Sequence, residues 1–297
     1  MPTTTTRPSR PRPRRADGAG ARRTAIAAAV AAAPFLLALE PPGPRPSVML
    51  MSGLPLVWGE QGAFDAGAPP VAAYSRLRGE FDFEPVDVLD PATLGRGRVL
   101  FLAQPQRLAP AELAALDGWI RGGGRALILT DPMLSWPSEL PPGDIRRAPA
   151  VGLLAPLLGH WRLVLEAPAD PGEVAKDWNG RRIVLESAGR FRSSGPECTV
   201  GAGGWTAVCR LGRGRARLVA DADLMRNSLW APDGPERPTA ENPQVVGEWL
   251  DELTGTAHDR PRLKPAGLGG AGGLSIAAAL LAAAAGIGLL LRRRRKR

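Results

Sequence analysis

Cysteine and histidine are almost missing from this 297-residue chain, with two of each, and there is a single tyrosine among only 5% aromatic residues. That scarcity excludes a zinc ribbon or finger, which needs four closely spaced ligands. His160 and His258 lie at no ligand spacing from Cys198 and Cys209. A cysteine nucleophile paired with a histidine base has equally little to draw on. Negative charge is also short: 29 Asp and Glu stand against 38 Lys and Arg, for a net charge of +9.

The excess of positive charge is local. Residues 1–23 hold seven Arg and one Asp, and residues 292–297 read RRRRKR. Each end therefore carries +6, which leaves −3 for residues 24–291. A nucleic-acid binder concentrates its basic residues on a folded face. Here they flank apolar segments instead, so no nucleic-acid partner is expected and the charges read as topology signals. Leu268–Leu291 contains only Gly, Ala, Leu, Ile and one Ser, enough to cross a hydrocarbon core that needs about 20 apolar residues. Thr24–Leu39 is shorter and fits either an uncleaved anchor or a signal-peptide h-region.

The expected organisation follows from these segments. Residues 1–23 form a disordered basic cytoplasmic tail, 24–39 an N-terminal anchor or signal segment, and 40–46 a Pro-rich linker. Residues 47–255 form an extracytoplasmic α/β domain, 256–267 a second linker, 268–291 a transmembrane helix, and 292–297 a basic cytoplasmic tail. The implied location is a cell inner membrane with the main domain on its outer side and both termini in the cytoplasm. The membrane and integral-membrane proteins are then the expected partners. Cys198 and Cys209, with ten residues and a GAGG turn between them, fit either a disulfide in an oxidising compartment or two free thiols.

Within the body, short apolar runs alternate with helical patterns. SVMLM (47–51) reads as a strand, and FDFEPVDVL (81–89) as an edge strand because it carries Pro85. RVLFLA (98–103) and RALILT (125–130) are continuous apolar strands. Between them APAELAALDGWIR (109–121) sets Leu113, Leu116 and Ile120 on one helical face. It has Pro110 near its start and three glycines after its end. Strand, helix, strand with continuous apolar strands predicts a parallel sheet covered on both faces. Further helices are expected near 71–78, 150–158 and 243–253. Strands are expected at 162–166, 181–187, 197–200, 206–211 and 216–221.

The block VLFLAQPQRLAPAELAALDGWIRGGGRALILTDP (99–132) resembles the ABC-transporter auxiliary domain of the gliding-motility type and related exported domains of unknown function. The resemblance rests on Gln104-Pro105 with Leu108, on Ile120 followed by Gly122–Gly124, and on Asp131-Pro132. A second block, GRGRARLVADADLMRN (212–227), and the helix after Asn242 extend it over roughly 48–255. It implies a class I glutamine-amidotransferase-like, flavodoxin-like three-layer sandwich with a mainly parallel sheet and added hairpins. It further implies ABC transporter subunits as possible partners. Flanked by transmembrane segments, that fold is the expectation for the chain.

Chemistry is thinly signalled. No Cys or Ser occupies the turn after the strand 125–130, so the nucleophile of an amidotransferase is missing. Asp131, Asp221 and Asp223 end apolar strands, where α/β sheets hold ligands. They read either as an acid–base site or as caps on backbone N–H groups. Arg146 and Arg147 read as anion ligands or as solvated loop charges. Trp58 and Trp136 border long loops and fit a sugar-binding groove. No catalytic residue, metal or cofactor is assigned. The expected function is a non-catalytic binding or scaffolding domain beside an ABC-type transport or envelope-assembly system. A hydrolase at the strand-end carboxylates and a glycan-binding module stand as alternatives.

Overall fold

The computed structural model describes residues 43–60, 70–230 and 240–260. The chain divides into the units Met1–Pro44 and Arg45–Arg297, and every element below belongs to the second. In chain order these are β1 (Ser47–Ser52), α1 (Ala72–Leu77), β2 (Asp82–Pro85), α2 (Pro91–Leu94), β3 (Val99–Ala103), α3 (Pro110–Arg121), β4 (Arg125–Leu129), α4 (Ala155–His160) and β5 (Leu163–Glu166). They continue with β6 (Glu173–Trp178), β7 (Arg181–Glu186), β8 (Arg190–Ser193), β9 (Cys198–Val200), β10 (Thr206–Leu211) and β11 (Gly214–Val219). A 3-10 turn (Asp223–Met225), α5 (Asn227–Trp230) and α6 (Asn242–Thr254) close the described chain.

Seven strands form one sheet in the order β2-β1-β3-β4-β11-β10-β9. The first five are parallel, and β10 and β9 add antiparallel strands at one edge. Every residue of β3 is buried, because helices cover both faces of a parallel sheet. The pleat then sorts its side chains. Val99, Phe101 and Ala103 join one core with Leu77 of α1 and Val245 and Trp249 of α6. Leu100 and Leu102 point the other way, into a core with Leu116 and Ile120 of α3 and Leu157 of α4. Each large apolar side chain buried this way contributes about 1.5–3 kcal/mol.

Local chemistry sets several boundaries. Pro110 opens α3, and the Glu112 carboxylate accepts the Ala109 N–H at 2.8 Å, so the first turn is capped from within. Helix α4 starts at Ala155 rather than near 150. A helix begun at 150 would put Pro156 in its interior, where it has no N–H to give. The Ala150 carbonyl instead accepts the Leu134 N–H at 3.0 Å. Strands β6 and β7 pair as a separate hairpin, with Trp178 opposite Arg181 across an Asn179-Gly180 turn. Both turn residues have positive φ (51° and 78°), as a two-residue Asn-Gly hairpin requires. Strands β5 and β8 form a second small antiparallel sheet.

The expectation of a flavodoxin-like sandwich flanked by transmembrane segments is corrected. The described chain is a mixed α/β domain with one seven-stranded sheet and two two-stranded sheets. No helix among the described residues is long and apolar enough to cross a membrane. The longest of them, α6, has 13 residues, against the roughly 20 that a span requires. The same finding overturns the transmembrane character and the inner-membrane location with two cytoplasmic termini. Segments 24–39 and 268–291, on which that reading was built, lie outside the described residues, as do the basic runs 1–23 and 292–297. The two cysteines form a disulfide, Cys198–Cys209, which joins directly opposed residues of β9 and β10.

Candidate functional site

The three strand-end aspartates come together but face inward. All three are fully buried. Asp131 follows β4, and its carboxylate accepts the N–H groups of Met133 (2.8 Å) and Ala222 (2.9 Å). Asp221 follows β11 and accepts from Glu186 (2.7 Å) and Leu224 (2.8 Å). Asp223 accepts from the Ser135 N–H (2.6 Å) and hydroxyl (2.9 Å). Each carboxylate thus stitches two chain segments at the carboxyl end of the sheet. Burial pushes the Asp131 carboxyl up to about 7, against the lowering pull of the Ala222 N–H. Burial, and then the neighbouring Asp131 charge, raise Asp221 well above the carboxylate range. Burial also raises Asp223. Among the described residues no group of three or more His, Cys, Asp or Glu is arranged to hold a metal.

The histidines sit elsewhere. His160 approaches Asp117 at 3.6 Å. The His258 ring contacts the Asp251 carboxylate at 2.6 Å, where Arg260 also binds. Those contacts fasten residues 256–260 to the end of α6, and Arg260 reaches on to Glu80. The cysteines are tied up in the disulfide. No histidine or cysteine therefore meets the strand-end carboxylates.

The open space lies at a different place in the sheet. The chain leaves β1 for β2 on one side and returns to β3 on the other, so strand order reverses between β1 and β3. Ligands of open α/β sheets bind outside the carboxyl ends of the strands at such a reversal. A cleft of about 720 Å³ lies there, over the ends of β1 and β2 and the chain leaving β3. Its lining includes Ser52–Leu54, Val57, Trp58, Asp87, Arg107, Glu112 and Arg146. Trp58 is 56% exposed. A second cleft of about 670 Å³ adjoins the first and shares Glu60, Gln106 and Arg107 with it. Leu134, Trp136, Ile145, Arg147 and Leu153 are among its walls.

Glutamines hold this region together. Gln104, the residue after β3, is fully buried with φ of +42°. Its amide donates to the Asp131 carbonyl (3.1 Å) and the Pro149 carbonyl (2.8 Å) and accepts the Asp131 N–H (2.7 Å). The 131–149 loop is thereby pinned at both ends to the end of β3. Gln106 donates to the carbonyls of Ile145 (3.2 Å) and Arg147 (2.8 Å). Glu60 accepts the Glu139 N–H at 2.9 Å, which ties the β1 side to the same loop. Gly53 follows β1 so closely that a Cβ there would stand 2.2 Å from the Gln104 carbonyl oxygen.

The charged residues of the clefts differ in their engagement. Arg146 grips Asp144 through two guanidinium nitrogens (3.0 and 2.6 Å). That pairing lowers Asp144 to about 2. Glu112 is held by the N–H groups of Leu89 and Ala109. Arg107 is exposed and Arg147 half-buried, and neither forms a side-chain hydrogen bond or ion pair among the described residues.

Of the sequence-predicted residues, Trp58 and Arg146 line the first cleft and Trp136 and Arg147 the second. The two tryptophans do not share one groove. Asp131, Asp221 and Asp223 line neither cleft. Glu60, Gln104, Gln106 and Arg107 escaped sequence reasoning as site residues, although the Gln-Pro step after an apolar strand was visible.

No protein-family model and no curated protein matches the chain. Among solved structures, the N-terminal domain of mmIFT52 is similar at 12% identity and a TM-score of 0.46, covering 72% of this chain and 100% of that one. The exo-beta-1,4-mannosidase Op5Man5 from Opitutaceae bacterium strain TAV5 matches at 12% identity and a TM-score of 0.43, over 71% of this chain and 36% of the enzyme. Cytoplasmic Protein STM3548 from Salmonella typhimurium matches at 11% identity and a TM-score of 0.43, over 71% of this chain and 99% of that one. At these scores the likenesses carry no argument about what this chain does.

Proposed function

We propose that the domain is a non-catalytic binding module whose ligand occupies the cleft at the strand-order reversal. The observation that carries this reading is the division of labour at the carboxyl end of the sheet. The carboxylates suited to acid–base work are buried and spent on backbone N–H groups. The open cleft beside them is lined by an exposed tryptophan, arginines and the carboxylates of Glu60, Asp87 and Glu112, of which Glu60 and Glu112 also accept backbone N–H groups, without histidine or cysteine. Concave sites of this size with a few convergent polar groups are typical ligand sites. The hydrolase alternative has less support, because a general acid must reach its substrate within hydrogen-bond distance. The sequence resemblance over 48–255 supports subunits of an ABC-type transport system as partners of the module.

A fragment screen followed by backbone amide NMR on the whole protein tests the proposal. Shifts concentrated at Gly53–Trp58, Asp87 and Gln106–Leu108 are expected. Binding that instead perturbs Glu186, Ala222 and Leu224, or turnover of nitrophenyl esters or glycosides that Asp131→Asn abolishes, would replace it with the hydrolase reading.

A further inference from the structure

The second cleft holds two arginines that form no side-chain hydrogen bond or ion pair among the described residues. Arg107 reaches it from the loop before α3, and Arg147 from the far end of the 131–149 loop. The Gln106 side chain donates to the Arg147 carbonyl at 2.8 Å, which holds those two segments together at the cleft that both arginines line. The nearby carboxylates are already engaged: Asp144 with Arg146, and Glu60 with the Glu139 N–H. Arg147 exerts only a longer-range pull on Asp144. A half-desolvated guanidinium without a direct ion pair is costly, and its planar fork is shaped to grip an oxyanion through two hydrogen bonds. Glu60, Asp144 and Ser138 also line this cleft, and its apolar wall is built from Leu134, Leu153 and the half-buried ring of Trp136.

We infer that this cleft takes a small organic oxyanion, a carboxylate or phosphate ester carried on a flat apolar ring, with Arg107 and Arg147 on the anionic group and Trp136 against the ring. The inference rests on the reading of the clefts as binding sites and names the ligand class. A volume of about 670 Å³ suits a small molecule, within the several hundred Å³ usual for such pockets.

The test is calorimetric titration of the full chain with 2-naphthyl phosphate, 2-naphthoate and the uncharged 2-naphthol. At least one of the two acids should bind about tenfold or more tightly than 2-naphthol, equivalent to about 1.4 kcal/mol. The Arg107→Ala/Arg147→Ala double variant should lose that advantage while keeping its affinity for 2-naphthol and its melting temperature. Which acid is preferred distinguishes carboxylate from phosphate. Equal binding of all three probes, or an acid preference that survives in the double variant, would overturn the oxyanion inference and leave the binding-module reading standing. If none of the three binds, the oxyanion inference falls, and the binding-module reading is decided by the fragment screen at the first cleft.

Discussion

Replacing Gln104 by alanine should loosen the whole floor of the clefts. The side chain is fully buried and makes three hydrogen bonds, to the Asp131 N–H and carbonyl and to the Pro149 carbonyl. Alanine leaves the buried Asp131 N–H without its partner, a loss of about 1–3 kcal/mol. The half-buried Pro149 carbonyl regains water in part and adds about 1 kcal/mol. The total is roughly 3 kcal/mol, a large part of the 5–15 kcal/mol that holds an ordinary domain together. Position 104 also has φ of +42°, where glycine is free of the penalty that alanine carries, by about 1 kcal/mol. Gln104→Gly should therefore be more stable than Gln104→Ala, the reverse of the order expected in a regular strand. Urea unfolding followed by tryptophan fluorescence measures both, and amide hydrogen exchange across residues 131–153 should speed up in each. A loss below about 1 kcal/mol with unchanged exchange would refute the pinning role assigned to Gln104. An alanine variant more stable than the glycine one would refute the backbone argument.

Other outcomes follow from the same geometry. Reduction of Cys198–Cys209, or its replacement by two alanines, should lower stability by about 3 kcal/mol from the freed loop entropy, read as a shift in urea midpoint; an unchanged midpoint contradicts it. Asp131 keeps its proton up to about 7 in the folded state but releases it near 3.8 when unfolded. The native state then binds more protons between those values, so this group's contribution makes stability fall as pH rises from about 4 to about 7. Asp131→Asn, uncharged throughout, should flatten that part of the pH profile; equal slopes in the two proteins would sink the assignment. Gly53→Ala should destabilise by about 1–3 kcal/mol or shift the end of β3, since its Cβ would lie 2.2 Å from the Gln104 carbonyl oxygen. Trp58→Ala should leave the melting temperature nearly unchanged, because the ring is 56% exposed, yet weaken binding in the first cleft; unchanged affinity would remove Trp58 from the site.

The elements that sequence reading found share one property: their signal is local and apolar. β3, α3 and β4 announced themselves through buried runs and one helical face. Pro85 marked β2 as an edge, where the sheet order has it. β6 and β8 went unread because their residues are largely exposed and take their shape from pairing. In β6 the neglected signal was Asn179-Gly180. The site was legible only in pieces. Trp58, Trp136, Arg146 and Arg147 were picked out as loop residues of the right chemistry. Arg107 was not, because its place in the same cleft as Arg147 depends on the 131–149 loop folding back across Gln106, 41 positions earlier in the chain than Arg147. The strand-end aspartates were correctly located, but whether they face a cleft or the core is set by tertiary packing. Gln104 is the instructive case. It belonged to a visible sequence step, and its role emerged only once its amide was seen to hold both ends of a loop.

The most direct measurement is amide hydrogen exchange of the full chain with and without saturating 2-naphthyl phosphate. The account predicts slowed exchange at residues 106–107 and 134–153, which line the second cleft, with no change around Glu186, Ala222 and Leu224. Protection confined to the backbone around those last three residues would contradict it, and would return the buried aspartates to the centre of this protein's function.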